Sequence, residues 1–209
     1  MLAYHYLKED MTAGHGDEPP WKVGEKRSVK GKLVICEHGY HSCPTPADGL
    51  AYLSGPMLCL DEIGRPQKQT PGHEDKYLSR SRQLLKVVDM SVPLRLLMCD
   101  IADRENARYE RETGKKVPQE ALDSVLAGRK FAAGEIAAEE MEKANAALRH
   151  YSYYSYSYSY SSSYSFSSYS YSSYYSYSSS HYYSYFSSSV YPELFAAYNK
   201  LALEMLEKA

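Results

Sequence analysis

Forty consecutive residues, Tyr151 to Val190, decide most of what this chain can fold into. They hold 21 Ser, 15 Tyr, two Phe, one His and one Val, and no Lys, Arg, Asp, Glu, Gly, Pro, Leu or Ala. A segment with a single aliphatic side chain, Val190, has too little apolar volume to build its own core. Aromatic positions from Tyr151 to Phe186 form 8 pairs two apart, 7 three apart and 5 four apart, so neither the strand period nor the helix period prevails. The tract reads as a solvated spacer, with two alternatives: a self-associating or sugar-binding aromatic surface, or a tract that is not faithfully translated or is genomically degenerate.

The tract also divides the charge. Residues 1–150 carry 22 basic and 23 acidic side chains and residues 191–209 carry 2 and 3, for a net charge of −2 over 209 residues. Such a balance argues against nucleic acid or an anionic membrane as a partner. No stretch approaches the roughly 18–20 uninterrupted apolar residues of a membrane span. The N-terminus lacks a basic segment followed by an apolar run, so no signal peptide is expected. Cys36, Cys43, Cys59 and Cys99 are then free thiols rather than a disulfide framework, and the expected compartment is the cytoplasm.

Before the tract, the hydrophobic period changes once. Ala3–Leu7, Lys32–Cys36, Met57–Ile63 and Gln83–Val88 read as strands, and Thr45–Leu53 as a short helix capped by Thr45. From Ser91 the period becomes helical. Leu94, Leu97, Met98 and Ile101 follow i, i+3, i+4, i+7, and this helix is expected to reach about Glu112. Further helices are expected from Pro118 to Gly128 and from Lys130 to His150. The fold class is therefore α+β. Its parts are a β-rich domain (1–90), a helical segment (91–150), the tract (151–190) and a C-terminal amphipathic helix (191–209).

Several segments together resemble a family. They are Ala3-Tyr-His-Tyr6, Trp21-Lys-Val-Gly-Glu25, Cys36-Glu-His-Gly-Tyr-His-Ser-Cys43, Ala47-Asp-Gly-Leu-Ala-Tyr52, Leu58-Cys-Leu-Asp-Glu-Ile-Gly64 and Lys130-Phe-Ala-Ala-Gly-Glu-Ile-Ala-Ala-Glu-Glu-Met141. They resemble uncharacterised proteins of phages and environmental genomes that carry an N-terminal domain of unknown function and an alanine-rich helical tail. The resemblance implies an architecture and a phage-like origin, and no activity. This chain departs from it in the tail, where Ser and Tyr replace Ala.

Two groupings carry possible chemistry. Cys36, His38, His41 and Cys43 are spaced C-x-H-x2-H-x-C, and Cys and neutral His are zinc ligands. A hairpin would bring the four together, although structural zinc sites usually separate two ligand pairs by a longer loop. The alternative is that Cys36 and Cys43 are small buried hydrophobes and His41 a satisfied polar residue. The second grouping is His41 with Tyr52, Asp61 and Glu62. A strand, a Gly-x-His turn and an Ala-x-x-Tyr helix resemble part of ADP-ribosyltransferase domains, which would make His41 and Tyr52 pocket residues of a nucleotide-transferring enzyme. No phosphate-binding glycine loop, nucleophile elbow or His-Glu-x-x-His helix is present. The basic stretch Lys76–Arg82 reads as a surface strand or loop. The expectation is a binding or accessory module rather than an enzyme, with no cofactor and with a protein partner or a second copy as its contact.

The C-terminal segment supplies a reason for such contacts. Leu194, Tyr198, Leu201 and Met205 form one stripe, widened by Phe195, Ala202 and Leu206. A helix of that length is marginal alone in water, so the stripe must be covered. The surfaces expected to cover it are the Lys130–His150 helix or the same helix in another copy.

Overall fold

The computed structural model describes residues 1–14, 16–67, 75–152 and 191–209. The expectations for the Ser/Tyr tract lie outside the described residues, apart from its first two positions. The chain forms two units, Met1–Ser91 together with Tyr183–Ala209, and Val92–Tyr182. The class is α+β, with an antiparallel sheet first and helices after it.

The first unit is built on strands β1 (Leu2–Leu7), β2 (Lys26–Ser28), β4 (Met57–Ile63) and β6 (Ser81–Asp89), in the order β1-β4-β6-β2. Strands β3 (Tyr40–Ser42) and β5 (Tyr77–Ser79) pair separately. A 3-10 turn, Asp48–Tyr52, takes the place of the short helix. Thr45 and Asp48 open it reciprocally: Asp48 N–H donates to Thr45 Oγ1 at 3.2 Å, and Thr45 N–H to Asp48 Oδ2 at 3.2 Å.

Alternation along β1 and β4 gives the sheet two apolar faces. Cross-strand neighbours share a face, so Tyr6, Leu58 and Val88 lie on one side and His5, Cys59 and Val87 on the other. The second side packs with Leu7, Leu84, Trp21 and Tyr40. The first side is covered by α4 (Pro192–Lys208). Tyr6 and Tyr198 hydroxyls meet at 2.6 Å, Ala47 N–H donates to Asn199 Oδ1 at 2.8 Å, and Lys86 Nζ donates to the Leu206 carbonyl at 2.9 Å. The docking surface of the C-terminal helix is thus the sheet of its own N-terminal domain, in place of the expected Lys130–His150 helix. The buried face is also rotated from the expected stripe. Phe195, Tyr198, Ala202 and Leu206 are buried, whereas Leu201 is exposed.

A bulge in β6 matters for the chemistry. Leu60 pairs with Lys86, but Asp61 pairs with Leu84, so Leu85 is the extra residue. Without it, strict alternation from Val87 would place Leu85 and Gln83 on the Trp21 side. With it, Leu84 and Arg82 turn there instead.

Three further expectations are corrected. Lys32–Cys36 is not a strand: Val34 and His38 close a tight turn through N–H donation both ways, and Cys36 has φ of 64°. The Lys76–Arg82 stretch is not a plain surface segment, because Lys76 and Arg82 are buried. The break expected at Gly128 falls later, at 133–137, so Lys130 belongs to the preceding helix and not to the last one before the tract. In the second unit, α1 (Ser91–Thr113) is followed by α2 (Gln119–Ala132) and α3 (Ala138–Ser152), and Gly134 at φ of 73° ends the former. Ser124 Oγ donates to Asn145 Oδ1 at 2.6 Å between α2 and α3, and Arg129 Nη2 bonds Asp100 and Asp103 of α1. No described helix is long and apolar enough to cross a membrane.

Candidate functional site

The polar side chains of the first unit gather in two places. The deeper one lies on the Trp21 side of the sheet. His5 on β1 and Asp61 on β4 stand on one face, and His5 Nδ1 lies 2.5 Å from Asp61 Oδ2, while Ser42 Oγ donates to the same oxygen at 3.5 Å. The bulge delivers Arg82 from β6. Its guanidinium lies 4.7 Å from the Trp21 ring and 5.0 Å from the Tyr40 ring, and Nη1 donates to the His41 carbonyl at 3.2 Å. The Arg27 guanidinium also lies over the Trp21 ring at 4.1 Å, held by Glu25 and Glu18. Asp61 is fully buried, and His5 and Arg82 are buried beside it. His5 Nε2, Asp61 Oδ1 and Arg82 Nε have no hydrogen-bond partner among the described residues.

Burial sets the protonation here. It lowers the His5 pKa, Arg82 lowers it further, and Asp61 only partly offsets them. The neutral ring then donates Nδ1–H to Asp61. Burial likewise lowers the Arg82 pKa, with Asp61 opposing. For His5 the stability consequence has a definite sign. The unfolded imidazole titrates near about pH 6.5. Between that value and the lower folded one, the unfolded chain holds a proton that the folded chain does not. Stability therefore falls as pH drops through this window. Urea midpoints measured from about pH 7 to about pH 5 should decline, and His5→Gln should decline less steeply. Equal slopes would assign the loss to other groups.

The shallower place lies around the turn before β3. Cys36 is exposed, and its Sγ accepts a hydrogen bond from Lys76 Nζ at 3.2 Å. The ammonium lies 4.2 Å from the Tyr52 ring centroid, and Tyr52 Oη donates to Asp75 Oδ2 at 2.5 Å. Cys36 N–H donates to His41 Nε2 at 2.9 Å. His41 and Tyr52 are thus linked through Cys36 and Lys76, and the carboxylate in the group is Asp75. Asp61 belongs to His5, and Glu62 on the opposite face of β4 is exposed.

The side chains of the C-x-H-x2-H-x-C grouping do not converge on one point. His38 Nε2 bonds the Lys30 carbonyl at 2.8 Å, His41 faces the Cys36 backbone, and Cys43 lies in the core beside β1. Burial raises the Cys43 thiol pKa strongly. Among the described residues, no group of three or more His, Cys, Asp and Glu side chains is placed to hold a metal ion. Sequence reasoning missed His5, Lys76 and Arg82 as site residues. The available signal was alternation, since Lys76 and Leu78, and Arg82 and Leu84, are two apart and each pair is buried. Comparison with protein-family models, curated proteins and solved structures gives no match to this chain.

Proposed function

We propose that this protein is a phage-encoded binding or accessory module of the host cytoplasm that acts by contact with protein and not by catalysis. The observation that carries this reading is where the polar atoms fit for chemistry are spent. His41 Nε2 accepts from Cys36 N–H, Tyr52 Oη donates to Asp75, and His38 Nε2 bonds a carbonyl. His5 Nε2 has no such partner but is buried. The contact surface in this reading is on α2, where Leu122 and Leu126 are one turn apart and exposed.

The second reading is a nucleotide-transferring enzyme. It is favoured by the contacts that join His41, Cys36, Lys76, Tyr52 and Asp75 into one group. Incubating the full chain with NAD labelled in its adenylate half separates the two. A binding module leaves all label in the dinucleotide, whereas label transferred to protein or nucleic acid overturns the first reading.

A further inference from the structure

We propose that Cys36 and Lys76 form a peroxide-dependent covalent clasp, closing to a sulfur–nitrogen bond. The two residues are forty positions apart, yet Nζ lies 3.2 Å from Sγ. Three features hold them there. Lys76 is 6% exposed, which denies its amine other positions. The Tyr52 ring backs the ammonium at 4.2 Å, and Asp75 fixes that ring through its hydroxyl. His41 pins the turn by accepting from Cys36 N–H. Cys36 itself is exposed, so a small oxidant reaches the sulfur without unfolding. The other three cysteines are buried.

The chemistry balances with one peroxide. The sulfur, reacting as its thiolate, attacks a peroxide oxygen, giving the sulfenic acid and hydroxide. The hydroxide takes a proton from the ammonium, leaving water and a neutral amine. The amine lone pair then attacks sulfur, the S–O bond breaks, and a second water leaves with the last proton. Sulfur has been oxidised, the peroxide reduced to two waters, and one S–N bond made. Two equivalents of a small thiol reverse it, restoring thiol and amine and leaving the reagent as its disulfide.

Intact mass spectrometry of the full chain, before and after one equivalent of hydrogen peroxide, tests this. The expected product is lighter by two hydrogens, carries a peptide joining Cys36 to Lys76 after proteolysis, and regains the mass in dithiothreitol. Lys76→Arg keeps the charge but lacks the primary amine, so it should instead gain one oxygen and react with dimedone at Cys36. Cys36→Ser should show neither change. Oxygen addition at Cys36 of the unsubstituted chain, or a disulfide between cysteines in place of the joined peptide, would overturn the proposal. So would an unchanged mass.

Discussion

Asp61→Ala is expected to lower the unfolding free energy of the first unit by about 3–5 kcal/mol. Glu62→Ala, one position on, should change it by no more than about 0.5 kcal/mol. The two carboxylates are adjacent in sequence but point to opposite faces of β4. Glu62 is exposed, and Asp61 is completely buried against His5 with Arg82 close by. Removing Asp61 leaves a guanidinium in the core without its opposing charge, and takes from His5 Nδ1 its acceptor. Arg82 keeps the Trp21 and Tyr40 rings, which are worth far less than a buried counter-charge. The measurement is urea unfolding followed by fluorescence of Trp21, the single tryptophan. If the two substitutions cost the same, the buried cluster does not hold the sheet. An Asp61→Leu, Arg82→Met double substitution should cost less than the sum of its parts, because neither charge is then stranded.

The second large effect lies at the other end of the chain. Phe195→Ala should cost about 3–5 kcal/mol, and Leu203→Ala on the exposed side within about 0.5 kcal/mol. Phe195 is 2% exposed and Leu203 40%. The informative readout is again Trp21, which sits on the opposite face of the sheet from α4. A shift of the Trp21 midpoint in Phe195→Ala would report helix and sheet unfolding together. If the Trp21 transition stays where it is, the helix is not part of that cooperative unit.

Alternation made β1, β4 and most of β6 legible in the sequence, and the change of period at Ser91 marked α1. What was not legible has local causes. The positive φ of Cys36 turns a run of Leu33, Val34 and Ile35 that otherwise reads as a strand. The bulge at Leu85 reverses the parity of β6, so Arg82 points inward where a basic stretch suggests solvent. Pro192–Lys208 has apolar residues on most sides, and only the shape of the sheet selects Phe195, Tyr198, Ala202 and Leu206 over Leu194 and Leu201. At the candidate site, a Gly-x-His turn and an Ala-x-x-Tyr segment single out His41 and Tyr52 in the sequence. Asp75 is not legible there, because its contact with Tyr52 joins residues 23 positions apart and follows no local period.

The contact between Tyr6 and Tyr198 spans 192 positions and has a consequence during synthesis. The sheet is complete in the nascent chain once Asp89 has emerged, but the helix that covers Tyr6, Leu58 and Val88 begins only at Pro192. At about 5–20 residues per second, translating the intervening hundred or so residues takes on the order of 5–20 s. For that interval the newborn sheet presents one wet apolar face. Nascent chains on a crowded polysome can meet through it, and a chaperone has that long to shield it. Codons that slow the ribosome across the serine and tyrosine repeats would lengthen the exposure without altering a single residue of the finished protein.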